Sequence, residues 1–267
     1  MTTVVVDTAT SLRRGIVLLQ ALQSEEAIAA GGLGVLRLAQ LLGCDKSQVS
    51  RTLKILAEYD LVDRDPESRA YRLGWTVFAL AARAGDMRLV AAAEPLLIEL
   101  VRTVQETAHL SVLKGAEVLT VLSESPPHAV RATGWVGRTV PAYCSSSGRA
   151  LLLDHERERV VALFGRGRLG RLGPNGPVSV GELYERIEQA RERGFALVEE
   201  EFEPGLVAVA APVRNFHGRI VAAVNVSGPK FRLGPRLDEA GELVARAASS
   251  LSALMGWKLP TAIVDAP

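Results

Sequence analysis

Leu12, Ile16, Leu19, Ala21 and Leu22 recur at helical intervals behind Ser11, whose hydroxyl can cap the free N–H groups of a first turn, so a helix is expected at the start. The small, glycine-containing stretch from Ala27 to Gly34 disfavours its continuation and predicts a loop. A short second helix is expected from Val35 to Leu42. Gly43 breaks it, and a third helix capped by Asp45 or Ser47 runs to about Tyr59 with Val49, Leu53 and Leu56 on one face. Leu61 to Arg64 and Arg69 to Leu73 read as short strands around Asp65-Pro66-Glu67-Ser68, a sequence suited to a type I turn, and so predict a hairpin wing. Trp75 to about Ala92, rich in alanine and long apolar residues, has the pattern of a linker. Glu94-Pro95 then starts a fresh helix, since proline is tolerated at a first helical position, and Leu96, Leu97, Leu100, Val101 and Val104 give it an apolar stripe for a sheet.

From His109 the period changes to two. Leu110 and Val112, then Val118 to Leu122 beyond the Gly115 turn, predict antiparallel strands. Further strands are expected at Phe195 to Glu199, Val207 to Pro212 and Ile220 to Ser227. Helices are expected at Ser147 to Leu153, Glu156 to Phe164, Val180 to Arg193 and Pro235 to Trp257. Sheet and helices alternate irregularly, so the class is α+β. The stretch from Gly165 to Pro177, dense in Gly, Arg and Pro, predicts a mobile loop.

A chain of 267 residues suits two modest domains. Its 48% hydrophobic and 23% charged residues exclude disorder and fibrous repeats. The longest apolar runs, such as Val207 to Val213, fall far short of the ~20 residues of a membrane span, and residues 1 to 9 lack a signal-peptide pattern, so no membrane and a cytoplasmic location are expected. Cys44 and Cys144 fall in separate expected domains, which argues against a disulfide. His109, His128, His155 and His217 are scattered without ligand spacing, so no metal and no cofactor are expected. The net charge of +1 is not that of a strongly basic nucleic-acid binder, so any DNA-binding surface must come from local charge placement.

Leu38 to Leu53 supplies such placement. Ala39 is small where two helices cross, Gly43 gives the turn, and Val49 and Leu53 pack the second helix onto the first, the parts of a helix-turn-helix. With that face buried, Ser47, Arg51 and Lys54 lie opposite, flanked by Lys46, Gln48 and Ser50. Gln48 and Arg51 suit bidentate contacts to base edges, and Lys46 and the hydroxyls suit phosphates. Arg64, Arg69 and Arg72 cluster at the wing, where they suit flanking phosphates or a minor groove, although Asp60, Asp63, Asp65 and Glu67 dilute the field. The bland alternative is ordinary helix packing with a solvated basic face.

These residues, taken with the second half, resemble the isocitrate-lyase-regulator (IclR) family of transcription factors from Ser11 to Trp257. Val136-Gly137-Arg138 followed by Pro141-Ala142-Tyr143-Cys144-Ser145-Ser146-Ser147-Gly148-Arg149-Ala150-Leu151-Leu152 is similar to the family's sensor signature. So are Glu199-Glu200-Glu201-Phe202-Glu203-Pro204-Gly205-Leu206, Ala210-Ala211-Pro212-Val213 and Val224-Asn225-Val226-Ser227-Gly228-Pro229, in the same order. The resemblance implies a winged helix-turn-helix domain (11–74), a linker helix (75–92) and a GAF-like effector-binding domain (93–258) with a six-stranded antiparallel sheet. It also implies a double-stranded DNA operator and dimers, often paired into tetramers. A two-fold dimer reading two half-sites suits the physics independently, because one helix reads few base pairs.

The resemblance further implies a small organic acid held between sheet and loops. Ser146 and Ser147 fall where backbone N–H groups face the ligand, a place suited to a carboxylate. Asn225 and Ser227, two apart on a strand, share a face and suit hydrogen bonds to it, or else satisfy buried backbone. The chain departs from the family where Ser-x-Ser becomes Asn225-Val226-Ser227, where Ala208 replaces a pocket cysteine, and where Val198 stands for an acidic residue, leaving Glu199 or Glu200 as substitutes. The run Pro141 to Cys144 is similar to a subgroup that regulates breakdown of aromatic acids, so an aromatic carboxylate is the expected effector and Tyr143 would stack on its ring or serve as core. Two other classes stay open. One is an enzyme using Cys144 with His128 or His155 as base, marked by a depressed thiol pKa. The other is a sensor acting on a protein partner, which must explain away Arg51, Lys54 and the wing arginines.

Overall fold

The computed structural model describes residues 11–84, 87–127 and 134–257. His128, residues 85 and 86 of the expected linker and residue 258 of the expected second domain lie outside the described residues. The chain divides into two compact units, one ending at Met87 and the other starting at Arg88.

In the first unit the helices are α1 (Ser11–Leu22), α2 (Glu25–Ala29), α3 (Val35–Leu42) and α4 (Lys46–Glu58). Strands β1 (Val62–Arg64) and β2 (Tyr71–Leu73) pair antiparallel, with Asp63 opposite Arg72, and α5 (Trp75–Ala84) follows. Leu18, Leu38, Val49 and Leu53 are completely buried in its core. The Ala27 to Gly34 stretch is not simply a loop: Ser24 caps α2 through the Ala27 N–H, and Leu33 bridges to Tyr71 beside the hairpin. The side-chain cap starts a short helix that ends before Gly31 and Gly32, both at positive φ, and the bridge ties the remaining turn to the hairpin.

The second unit opens on α6 (Met87–Val104). Pro95 lies inside this helix, not at its start. The missing N–H costs about 3 kcal/mol. The buried positions Leu89, Ala93, Leu97, Leu100, Val101 and Val104 run on one face straight across the proline, and about 1.5–3 kcal/mol for each fully buried leucine outweighs the loss. The sheet follows as β3 (Thr107–Lys114), β4 (Glu117–Glu124) and β5 (Thr139–Pro141). A single 3-10 turn (Ala142–Cys144) leads into α7 (Ser146–Leu151), α8 (Arg157–Phe164) and α9 (Val180–Arg193). After β6 (Ala196–Glu199), β7 (Leu206–Arg214) and β8 (Ile220–Pro229) come α10 (Lys230–Leu233) and α11 (Leu237–Leu254).

All pairings are antiparallel, in the order β5-β4-β3-β8-β7-β6. One face of the sheet buries Leu110, Val209, Val224 and Val226 together with α6 and α11. The other buries Ala196, Ala210 and Ala223 together with α7, α8 and α9. The alternation along β3 and β8 therefore sends one set of side chains to each covered face. The loop from Gly165 to Pro177, expected to be mobile, is tied down: Leu169 N–H donates to the Val178 carbonyl, Gly173 N–H to that of Glu201, and the Asn175 side chain to that of Glu199.

Candidate functional sites

In the first unit, Gly43 closes α3 in the left-handed conformation (φ 61°), where a Cβ would be strained, and Asp45 then caps α4 by accepting from the Ser47 N–H at 2.7 Å. With Val49 and Leu53 buried, Lys46, Ser47, Ser50, Arg51 and Lys54 are exposed and Gln48 is half-buried. Arg64, Arg69 and Arg72 are exposed on the hairpin. The Asp65 carboxylate accepts from the Glu67 and Ser68 N–H groups and from the Ser68 hydroxyl, and these bonds, those of Ser68 first, hold it below the usual carboxylate range. Those bonds fix the carboxylate in the turn and keep it charged. Arg72 lies 3.8 Å from Asp63, an exposed pair of small energy, and Arg64 stacks over Tyr71 at 5.6 Å.

In the second unit a cavity of about 60 Å³ opens on the sheet face that carries α7. One water needs roughly 10–15 Å³ on the same measure. The space therefore suits a small organic molecule. Ser146, Ser147, Ala208, Asn225 and Ser227 line it, as does Val198. Tyr143 and Glu199 are not among the lining residues. The Tyr143 hydroxyl donates to the Gly170 carbonyl at 2.6 Å and its ring packs edge-on against Phe164, so it anchors the arginine-rich loop. Strand alternation puts Val198 in the cavity wall and turns Glu199 to the other side, where it is exposed 3.8 Å from Lys230. Glu200 is likewise engaged, accepting from the Gly205 N–H and pairing with Lys230 at 2.5 Å.

Several lining residues lie outside the set expected at the ligand: His109, Ser111, Thr120, Trp135 and Phe202, the last within the signature run from Glu199 to Leu206. His109 is buried, and burial pushes its pKa down to about 4, so the ring is neutral. Its Nε2 lies 3.2 Å from the Ser227 hydroxyl, while Nδ1 has no hydrogen-bond partner among the described residues; the Asn225 Oδ1, also buried, has none there either. Trp135 meets His109 and Phe202 edge-on and supplies an apolar wall. Gly148 lets α7 reach this place, since a Cβ there would meet the Ala142 carbonyl oxygen at 2.1 Å. Behind it Arg149, buried, donates to Glu201 at 2.6 Å and to the Leu197 carbonyl, and Arg186 pairs with the other Glu201 oxygen at 3.0 Å. Burial pushes the Arg149 pKa down and Glu201 opposes that shift, so the network locks α7 and α9 to the end of β6. A signal for His109 was present: Thr107, His109 and Ser111 alternate polar with apolar in a strand, but that pattern equally describes a solvated face.

Cys144 also lines the cavity, but burial pushes its thiol up to about 12, the reverse of what a nucleophile needs. Its sulfur faces the Pro141 carbonyl at 3.6 Å.

A helix-turn-helix with a wing, and a separate antiparallel sheet that holds a small-molecule cavity, define a ligand-responsive DNA-binding regulator. The family pattern described as "Bacterial transcriptional regulator IclR C-terminal" matches residues 81–253. The chain is 30% identical over 256 residues to the "HTH-type transcriptional repressor AllR" of Salmonella paratyphi A, covering 95% of this chain and 93% of the relative. An IclR-type regulator from Alicyclobacillus acidocaldarius has a similar structure, with TM-score 0.73 and 27% identity over 92% of this chain and 98% of the other. An IclR homologue from Microbacterium hydrocarbonoxydans, complexed with 4-hydroxybenzoate, shares the fold with TM-score 0.75 at 22% identity, covering 92% and 99%. The chain belongs to the IclR family of transcriptional regulators. Among the described residues no helix is long and apolar enough to cross a membrane.

Proposed function

We propose that this regulator binds its operator through α4 and the wing as a dimer, and that a small organic acid in the cavity sets its DNA affinity. The observation that carries the effector reading is the cavity itself, lined by five of the seven residues expected at the ligand and containing buried polar atoms without partners. The acid reading rests on Ser145, Ser146 and Ser147 at one end, with no Asp or Glu among the described lining residues to repel a carboxylate. Gln48 and Arg51 are assigned to bases, and Lys46, Ser47, Ser50, Lys54, Arg64, Arg69 and Arg72 to backbone or groove contacts. Dimerisation is supported by exposed apolar pairs, Leu12 with Ile16 on α1 and Ile55 of α4 with Tyr59 at its C-cap, which suit a partner surface. Pairing into tetramers belongs to the same proposal. The target proposed is a catabolic operon; the name of the AllR relative, a transcriptional repressor, favours repression, and the 4-hydroxybenzoate complex of the Microbacterium homologue favours an aromatic acid.

The test is a fluorescence-anisotropy titration of the full chain against DNA upstream of its own gene at fixed salt, with and without aromatic and aliphatic carboxylates. Saturable, sequence-selective binding is expected, shifted about 5- to 150-fold by at least one acid. Binding that is equal on all DNA and indifferent to every acid would overturn the reading in favour of a protein partner.

A further inference from the structure

His109 and Asn225 are directly opposed across β3 and β8. Side chains at such opposed positions start roughly 4.5–5.5 Å apart and on the same face. Both residues are more than nine-tenths buried, at 4% and 8% exposure, both line the cavity, and each carries one buried polar atom with no partner, His109 Nδ1 and Asn225 Oδ1. Buried polar atoms are satisfied as a rule, so paired exceptions on one wall of a cavity call for an explanation.

We propose that His109 and Asn225 form a hydroxyl-recognising pole of the cavity, which selects a hydroxylated small organic molecule over the same molecule without its hydroxyl. The hydrogen-bond inventory closes with one group. With the Ser227 hydroxyl donating to His109 Nε2, the ring carries its proton on Nδ1 and donates it to the ligand oxygen, whose own O–H donates to Asn225 Oδ1. A carboxylate cannot fill this place, because it has no proton to give Asn225. Trp135 and Phe202, in edge-on contact with each other and with Trp135 edge-on to His109, give the body of the ligand an apolar wall. The proposal rests on the cavity being the effector site, but not on the effector being an acid. Without the hydroxyl both atoms stay unpaired, which is why sites built around one reject the analogue lacking it more strongly than apolar pockets reject a missing methylene.

Calorimetric titration of the full chain tests this with probes matched but for one hydroxyl: benzoate against its 2-, 3- and 4-hydroxy derivatives, propanoate against 2- and 3-hydroxypropanoate, and benzene against phenol. At least one hydroxylated probe is expected to bind about tenfold or more tightly than its parent. In both His109→Phe and Asn225→Leu, each checked by thermal unfolding, that preference is expected to fall to within about twofold of unity. Two variants on different strands keep the test intact where one fails to fold. Phenol preferred over benzene with no acid bound supports the pole and overturns the acid reading above. Parents binding as tightly as all their hydroxy derivatives, a preference that survives in the folded variants, or no binding by any probe would each overturn the pole.

Discussion

At the scale of single residues, His109 shows how one burial decides both chemistry and stability. Its pKa falls from the ordinary 6.5 to about 4 because the cavity wall desolvates the imidazolium. As pH drops, the unfolded chain takes up this proton first, so the residue costs nothing above 6.5 and removes stability as pH falls from 6.5 towards 4. Each pH unit in that window is worth about 1.4 kcal/mol. Urea unfolding should therefore show a loss of about 2 kcal/mol between pH 7 and pH 5 from this group, and His109→Phe should lack that share of the loss. An equal pH slope in the two proteins would mean that the ring is hydrated. The same residue explains part of what the sequence hides. Thr107, His109 and Ser111 form a polar face by period two, which in isolation describes a strand wetted on one side. Only the helices that cover both faces of the sheet turn it into the floor of a cavity.

At the scale of elements, the tie between α7 and the 3-10 turn before it is set by a glycine. A methyl group on residue 148 would stand 2.1 Å from the Ala142 carbonyl oxygen, which is backbone and cannot swing away. Gly148→Ala should cost at least about 1–3 kcal/mol in urea unfolding, with weakened effector binding because Ser145, Ser146 and Ser147 line the cavity from the same short segment. A change within about 0.5 kcal/mol would show that the turn opens freely. The run around Gly148 was legible as a family signature, yet the reason for its glycine was not, since it lies in an approach between backbones. Most helices and strands followed from periodicity and caps. Those that did not depend on partners distant in sequence: α6 runs through Pro95 because the sheet buries its stripe, β5 has three residues and exists by pairing with β4, and the arginine-rich loop is fixed by bonds to Glu199, Glu200 and Glu201. Tyr143 goes to that loop and Glu199 to an exposed edge for the same reason, whereas Ser146, Ser147, Ala208, Asn225 and Ser227 line one cavity.

At the scale of the whole molecule, the buried clusters are separate: the core of the first unit draws on residues up to Leu73, and those of the second begin at Leu89. In the proposed function, regulation is a free-energy coupling between the effector cavity of the second unit and the recognition helix of the first. Such a design lets the two affinities be changed one at a time. Arg51 is exposed on α4, opposite the buried face of Val49 and Leu53. Arg51→Ala should weaken operator binding by about 1–3 kcal/mol if the guanidinium reads a base. Binding of an effector to the DNA-free protein should stay the same, because that equilibrium involves none of the atoms removed. Comparing operator with unrelated DNA separates the roles of the arginine. A loss on the operator alone assigns it to base recognition; an equal loss on both, with a salt slope reduced by about one, assigns it to a phosphate. A fall in effector affinity of the DNA-free variant would instead mean that the two sites are linked even without DNA, and that the recognition helix biases the cavity directly.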